Sequence, residues 1–383
     1  MARPLSIGLR YKHQDAWVGG VYYVRNLVRA FGLLPAARRP RLTIVGGDKA
    51  ALEDLKAATG YGDLRRVSRT RIRRAPARTL ALPFGRGGED EIDLLLMGSP
   101  PGLEDRGVQW VPDFQEHRFP EFFPPDELAD RLRRNAGWFA RHTHVMVSSP
   151  DVARDFERHY GGGGNRVHVV RFASFVAADL GGTDIAALPA QYGLPRRYFI
   201  CNNQFWRHKN HGVVLRALAE LGPETPPMVF TGREEDYRDP AYAPSVRALA
   251  ETLGVDDRVR FLGFLPRGDQ LGLMAGAVAV VQPSLCEGWS TVVEDAKALG
   301  RPVIASDIAV HREQLAEGAD FFAPHDHAAL AALLRRYAEA DPPRPRAGYA
   351  AAERRFADEL WSMVTAVERD FRRRKVPRLV ISA

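Results

Sequence analysis

Strand-like apolar runs alternate with stretches of helical period along most of this chain, and that alternation limits the fold more than any other feature of the sequence. Leu5 to Arg10 reads as a first strand, after which Val21, Val24, Leu27, Val28 and Phe31 recur at helical spacing. Leu42 to Val45 is the next strand, followed by a turn at Gly46-Gly47-Asp48 and a helix over about Ala50 to Thr59. Asp93 to Gly98, Val108 to Val111, Val145 to Val147 and Val167 to Val170 continue the series. A helix is expected over Leu128 to His142, and another after Ser148-Ser149-Pro150-Asp151, whose side chains can cap it. Strand followed by helix, repeated, marks a doubly wound parallel sheet.

Residues 175–195 break the rhythm with Gly181-Gly182, Pro189 and Pro195, and are expected to be a linker. The alternation then restarts. Strands are expected at Tyr198–Cys201, Met228–Thr231, Val259–Leu262, Val278–Gln282 and Pro302–Ala305. Helices are expected at His211–Leu221, Ser245–Leu253, Asp269–Met274 and Ser290–Leu299. Pro342 to Pro345 closes this half, and one long helix, about Ala350 to Arg374, follows. The fold class is therefore α/β, with two Rossmann-like doubly wound domains over residues 1–178 and 190–345 and a helical segment over 346–383. Two such sheets joined by a linker are expected to face across a cleft, with ligands beyond the carboxyl ends of the strands.

Composition narrows the remaining classes. At 383 residues the chain has room for two domains, and 45% hydrophobic with 26% charged residues is a globular balance. No run of about 18 apolar residues is present, and the N-terminus turns polar too early for a secretory signal, so a cytoplasmic protein is expected. Cys201 and Cys286 suggest neither a disulfide framework nor a zinc site. The net charge of +7 suits an acidic small molecule, an anionic membrane surface or nucleic acid about equally. Nucleic acid is set aside because no reading motif accompanies the charge. The run Arg65, Arg66, Arg69, Arg71, Arg73, Arg74, Arg78 lacks interleaved aromatics and reads first as a solvated face, then as contact with an anionic membrane or a charged acceptor. Arg372-Arg373-Arg374-Lys375 complements the C-terminal end of the last helix.

Three constellations carry chemistry. Gly19-Gly20 lies between the first strand and helix, where glycines let backbone amides approach a phosphate, or simply serve tight packing. The segment Asn202 to His211 follows the first strand of the second domain and offers Arg207 as a fork and Lys209 as a point charge to a diphosphate. Lys209 is one of few lysines in the chain. The most informative stretch is Cys286 to Lys297. Glu287-Gly288 would occupy a strand-to-helix loop, Ser290 or Thr291 would cap the helix, and free amides there can bind an anion or sugar hydroxyls. Carboxylates at the loop and one turn into the helix can grip two sets of hydroxyls, being pure acceptors. A preference of acids for helix N-termini accounts for Glu294 or Asp295 but not for Glu287.

The stretch Glu287 to Asp307 resembles the Glu-x7-Glu region of the retaining GT-B glycosyltransferases of family GT4, the glycosyl transferases group 1. Eight positions after Glu287 stands Asp295, a shortened second acid, with Glu294 beside it as the alternative. Asp15 to Tyr23 is similar to the family's glycine loop, and Trp110 to Phe123 to the segment that usually carries a His-Asp pair. Pro112 stands where histidine is common, and Gln204 where arginine is common. The resemblance implies a GT-B fold whose last helix returns to the first domain. It implies a nucleotide-diphosphate sugar, UDP- or GDP-linked, as donor substrate, with no cofactor and no metal. Lys209, Arg207 and Gln204 would meet the diphosphate, and Gly19 and Gly20 would approach it from the first domain. Glu287 would contact the sugar hydroxyls, helped by Gly288, Trp289, Ser290 and Thr291. Asp295 would hold the ribose, and Gly263, Phe264 and Leu265 would frame the base. The catalytic set would be Glu287, Lys209 and Asp113, with the acceptor near Asp113, His117, Ser148 and Ser149. His311 to Gln314 would shape the donor site or begin an ordinary helix.

The expected function is retaining sugar transfer to a hydroxyl acceptor in bacterial glycan or glycoconjugate biosynthesis. The acceptor could be a sugar, a lipid-linked sugar or a natural product, and a lipid-linked one would bring the protein to the inner face of the membrane. A sugar-nucleotide epimerase of the same architecture and a non-catalytic nucleotide-sugar binding protein are the alternatives.

Overall fold

The computed structural model describes residues 3–11, 18–75, 91–315, 319–340 and 348–382. In chain order the elements begin β1 Ser6–Leu9, α1 Val18–Leu33, β2 Arg41–Val45, α2 Lys49–Thr59, β3 Leu64–Val67, β4 Ile72–Arg74, β5 Glu91–Ile92, β6 Leu94–Leu96 and β7 Val108–Val111. They continue α3 Gln115–Arg118, α4 Pro125–Arg141, β8 His144–Val147, α5 Pro150–Tyr160, β9 Arg166–Val169, α6 Val176–Leu180 and α7 Leu188–Gln191. Then come β10 Phe199–Asn202, α8 His211–Ala219, β11 Met228–Thr231, α9 Tyr242–Thr252, β12 Val259–Phe261, α10 Arg267–Gly276, β13 Val280–Gln282 and α11 Thr291–Ala298. The last are β14 Val303–Ser306, α12 Ala309–Gln314, β15 Asp320–Phe322, α13 His327–Glu339, α14 Ala350–Arg373 and β16 Leu379–Ile381.

The chain divides into two compact units. Unit 1 comprises Met1–Phe114, Asp130–Ala173 and Ala350–Ala383; unit 2 comprises Gln115–Ala129 and Ser174–Tyr349. Each holds an open parallel sheet of the Rossmann-like kind.

In unit 1 the strands run in the order β3-β2-β1-β6, and a parallel bridge from Leu95 to Gly107 leads on to β7-β8-β9. Strand β1 is buried along its whole length, as parallel strands covered on both faces must be. α14 packs on α1 through a stripe that includes Phe356, Leu360, Val364, Val367 and Phe371, all buried. Asp370 on the same helix accepts from His144 of β8 at 3.1 Å and from Arg373 at 2.7 Å, and also pairs with Arg166 of β9.

In unit 2 the order is β12-β11-β10-β13-β14-β15, the doubly wound pattern with its crossover reversal between β10 and β13. Alternate residues of the strands feed two cores. Phe199, Cys201 and Phe230 join α8, α9 and α13 on one face, while Ile200, Val229 and Val280 join α10 and α11 on the other.

Several expectations change. The 175–195 stretch is not a linker: α6 and α7 lie in it, and Val176, Leu188 and Leu194 are buried in a unit 2 core. Its few apolar residues are too sparse to show a period, yet each is anchored. α1 begins at Val18, so Gly19 and Gly20 sit in its first turn rather than in the loop before it. The arginine run holds two short strands: β3 pairs parallel with β2, and β4 forms because β16 arrives from the far end of the sequence to pair antiparallel with β4 and β5. Arg66, Arg69, Arg71, Arg73 and Arg74 are exposed there. Asp15, Ala16, Trp17, Arg78 and Pro342 to Pro345 lie outside the described residues. Among the described residues no helix is long and apolar enough to cross a membrane.

Candidate functional site

The carboxyl ends of β10 and β13, on either side of the crossover reversal, bring the two most informative loops of unit 2 together. After β10 the chain makes a short turn over Arg207–Lys209 and enters α8 through Asn210, whose φ of 55° is left-handed. Asparagine tolerates that conformation. Here its side-chain amide also donates to the carbonyls of Pro283 at 3.1 Å and Pro324 at 2.7 Å, so the turn is tied to the loop after β13. A further tie runs from the Leu285 amide to the His208 carbonyl at 2.7 Å.

Between these loops Lys209 Nζ lies 2.5 Å from Glu287 Oε1. The same oxygen accepts from Gln282 Nε2 at 2.8 Å and Ser284 Oγ at 2.7 Å. Gln282 is oriented in turn by Asn203, whose Nδ2 donates to its Oε1 at 3.0 Å. Burial by itself raises the Glu287 carboxyl, but the Lys209 ammonium and the Ser284 hydroxyl outweigh it, and the net pKa is below the usual carboxylate range. A buried carboxylate is thus kept ionised beside a cation.

His311 on α12 is buried close enough to Glu287 to act on its charge. Its Nδ1 lies 2.9 Å from the Ser306 carbonyl, which can only accept, so Nδ1 carries the proton and Nε2 the lone pair. Nε2 has no hydrogen-bond partner, and burial lowers the imidazole pKa, so the ring is neutral at pH 7.

The helix start after Glu287 is built as expected in one respect and differs in another. Ser290 is the N-cap of α11, accepting from the Val293 amide at 3.3 Å. Its own amide donates to Gln314 Oε1 at 3.0 Å, so that amide is not available to a ligand. Gly288 and Trp289 are buried and Thr291 is half-buried at the first turn.

The two acids one turn on have separate surroundings. Asp295 is gripped by both terminal nitrogens of Arg267, at 2.7 and 2.6 Å. Gln270 links Arg267 to Asn202, with contacts of 3.0 and 2.7 Å. Glu294 accepts from Lys297 at 2.8 Å, Gln314 at 3.0 Å and Tyr349 at 2.5 Å.

The remaining expected donor residues lie around this centre or apart from it. Gln204 is half-buried in the loop after β10, and Arg207 is exposed with its guanidinium 4.9 Å over the Phe122 ring. Phe264, 46% exposed after β12, stacks with Arg233 at 4.5 Å. Gly19 and Gly20, together with Asp113, Ser148 and Ser149, belong to unit 1, whereas His117 on α3 belongs to unit 2. Ser149 caps α5 through the Val152 amide at 3.1 Å, and Asp113 is half-buried just after β7.

The sequence reading gives Gln282, Ser284 and Arg267 no role, whereas Gln314, read as shaping the donor site or beginning an ordinary helix, bonds to Ser290 and Glu294. Each acts on a residue far along the chain or around a turn, and only the position of Gln282 and Ser284 at the end of a strand hinted at a role. Among the described residues no group of three or more His, Cys, Asp or Glu side chains is arranged to hold a metal.

Residues 185–354 match the family described as Glycosyl transferases group 1. O-antigen chain mannosyltransferase RfbU of Salmonella typhimurium is 30% identical over 129 residues, 34% of this chain and 35% of its own. The D-inositol 3-phosphate glycosyltransferase of Streptomyces coelicolor is 28% identical over 275 residues, 64% of this chain and 58% of its own. The chain thus spans from about a third to under two thirds of the length of these curated relatives. Among solved structures, a glycosyltransferase from Rickettsia africae superposes with a TM-score of 0.65 at 13% identity, covering 96% of this chain and 98% of that one. Anabaena Alr3699/HepE, in complex with UDP-glucose, superposes with a TM-score of 0.61 at 17% identity over 97% and 99% of the two chains. WaaG, a glycosyltransferase involved in lipopolysaccharide biosynthesis, gives 0.60 at 17% identity over 95% and 98%. At these identities the structural likeness speaks for the fold.

Proposed function

Starting from a GT-B chain whose residues 185–354 belong to the glycosyl transferases group 1 family, we propose that it transfers a sugar from a nucleotide-diphosphate sugar to a hydroxyl acceptor, with retention at the anomeric carbon, in bacterial glycan or glycoconjugate synthesis. The observation that carries this reading is the buried Lys209–Glu287 pair at the crossover reversal of unit 2. An ammonium and a carboxylate fixed there suit a ligand with a diphosphate at one end and sugar hydroxyls at the other.

Departure of a nucleoside diphosphate builds negative charge on its oxygens and positive charge on the sugar ring. Lys209 and Arg207, already in place, stabilise the first, and the Glu287 carboxylate stabilises the second. Glu287 is not the nucleophile in this scheme. Three donors converge on its Oε1 and its pKa is lowered, which makes it a poor attacking group. The acceptor oxygen instead attacks on the face the diphosphate leaves, and a departing phosphate oxygen takes its proton. Gln204 and the first turn of α11 border the diphosphate, Asp295 accepts from the ribose on lone pairs left by Arg267, and Phe264 borders the base. The cations supply the charge that a metal would otherwise bring, so transfer proceeds in a chelator. UDP- and GDP-sugars are the donors to test first; HepE is solved with UDP-glucose, and RfbU is a mannosyltransferase.

The test is thermal stability with UDP, GDP, ADP or TDP, with EDTA and then with magnesium. A ligand at a hundred times its dissociation constant adds about 2.7 kcal/mol. One nucleotide is expected to raise the melting temperature in EDTA, and its sugar conjugate is then carried to product, whose anomeric coupling constant reports retention. A folded sample that responds to none of them would overturn the reading.

A further inference from the structure

Arg267 opens α10 in unit 2, at the end of a helix where the dipole disfavours a cation. Its side chain is largely taken out of water, 12% exposed against 1% for its partner Asp295. A guanidinium in such a place needs anions, and the chain supplies two. Nη1 and Nη2 donate to the two oxygens of Asp295 at 2.7 and 2.6 Å, and Nε lies 3.5 Å from Asp179.

The arginine is also braced against the sheet. Nη1 donates to Gln270 Oε1 at 3.0 Å, and Gln270 Nε2 donates to Asn202 Oδ1 at 2.7 Å. The same oxygen accepts from Thr231 Oγ1. Asn202 and Thr231 are the last residues of β10 and β11, so the network follows the carboxyl edge of the sheet. On one side of it stands Lys209, after β10 and tied to the loop after β13. On the other stands Phe264, after β12. A nucleoside diphosphate laid along this edge, with its diphosphate at Lys209 and its base at Phe264, brings its ribose to the Arg267–Asp295 pair. The neighbouring acid, Glu294, is committed to Lys297, Gln314 and Tyr349.

The chemistry of the pair fits a diol. Each ribose hydroxyl can give a hydrogen bond and accept one, whereas a carboxylate only accepts and a guanidinium only donates. An arginine forked onto an aspartate presents both functions in one fixed geometry. The guanidinium is the more exposed member, so the pair turns a donor outward and not only an acceptor.

We propose that Arg267 is a specificity-determining residue of the donor site: with Asp295 it forms a donor–acceptor pair that reads the ribose diol, the guanidinium donating to one hydroxyl oxygen and the carboxylate accepting from the other hydroxyl. The assignment rests on the sugar-transfer reading, which supplies the nucleotide. It makes the site selective for ribonucleotides over their 2′-deoxy counterparts, because a missing hydroxyl leaves a largely buried charged group without its partner. One such hydrogen bond is worth about tenfold or more in affinity.

The experiment measures binding of UDP, 2′-deoxy-UDP, GDP and 2′-deoxy-GDP to the full chain by calorimetry. The wild type is expected to prefer the ribonucleotide it binds by about tenfold or more. In Arg267→Gln the preference is expected to fall toward unity, through weaker binding of the ribonucleotide with the deoxynucleotide little changed. Arg267→Lys guards against a variant that fails to fold. It keeps a cation beside Asp295 but loses the planar fork, and the preference is expected to fall in it too. A substitution that weakens both sugars by the same factor would mean that Arg267 only supports the fold, and would overturn the proposal. A preference that survives in a folded Arg267→Lys overturns it as well, and leaves the sugar-transfer reading standing. A folded wild type that binds none of the four nucleotides removes both.

Discussion

At the residue scale the pairing of Lys209 with Glu287 sets the chemistry of unit 2. Glu287 has its pKa lowered in the folded state, so its contribution to stability is present above the ordinary carboxyl range and is lost as pH falls through the folded value. Lys209→Ala removes the partner and leaves a buried charge, at a cost of about 3–5 kcal/mol at neutral pH. In the variant burial acts unopposed by the ammonium, the Glu287 pKa rises, and the carboxyl takes up a proton more readily. The stability gap between wild type and Lys209→Ala, measured by urea denaturation, is therefore expected to narrow as pH is lowered from about 7 to about 5. A gap independent of pH would mean that Glu287 is not the group the lysine compensates. Both residues could be found in the sequence because each follows a strand and precedes a helix. The Arg267 grip on Asp295 could not, since nothing local to either residue says that a helix start and a helix interior 28 positions apart will meet.

At the element scale α6 and α7 teach what periodicity misses. Each is short, and each contributes only one fully buried apolar anchor, Val176 and Leu188. A window of eleven or more residues finds no repeat in so little material. The structure nonetheless seats them on α10, where Gly272 leaves space for the Leu188 side chain. Leu188 is 3% exposed, and Leu188→Ala is expected to cost about 2–5 kcal/mol. A thermal melt of that variant decides the matter: an unchanged melting temperature would restore the linker reading. The strands β10, β11, β13 and β14 were legible for the opposite reason. Each is a nearly continuous apolar run closed by turn residues, and each lies between two covering layers. β4, β5 and β16 were not, because strands this short are defined by their pairing rather than by their own composition.

At the scale of the whole molecule the two sheets were visible in advance, but the path of the chain between them was not. Residues 115–129 pack with unit 2 although they lie within the first half of the sequence, and α14 returns to unit 1. Asp370 marks that return. Burial raises its carboxyl, but hydrogen bonds from Arg373, Arg166 and His144 bring it down to about 2. The stability it provides is complete above the unfolded value of ~3.9 and is lost as pH falls toward the folded one. Asp370→Asn is expected to lower the melting temperature at pH 7, with the difference from wild type shrinking below about pH 4. A difference that persists undiminished at low pH would show that geometry rather than charge holds the helix. The position of α14 and β16 in the sequence also has a consequence for synthesis. The ribosome finishes all of unit 2, through Tyr349, before it makes the helix and strand that complete unit 1. At ~5–20 residues per second the first-made half waits seconds with the edges of β4 and β5 unclosed, so the domain begun first on the ribosome is the one finished last.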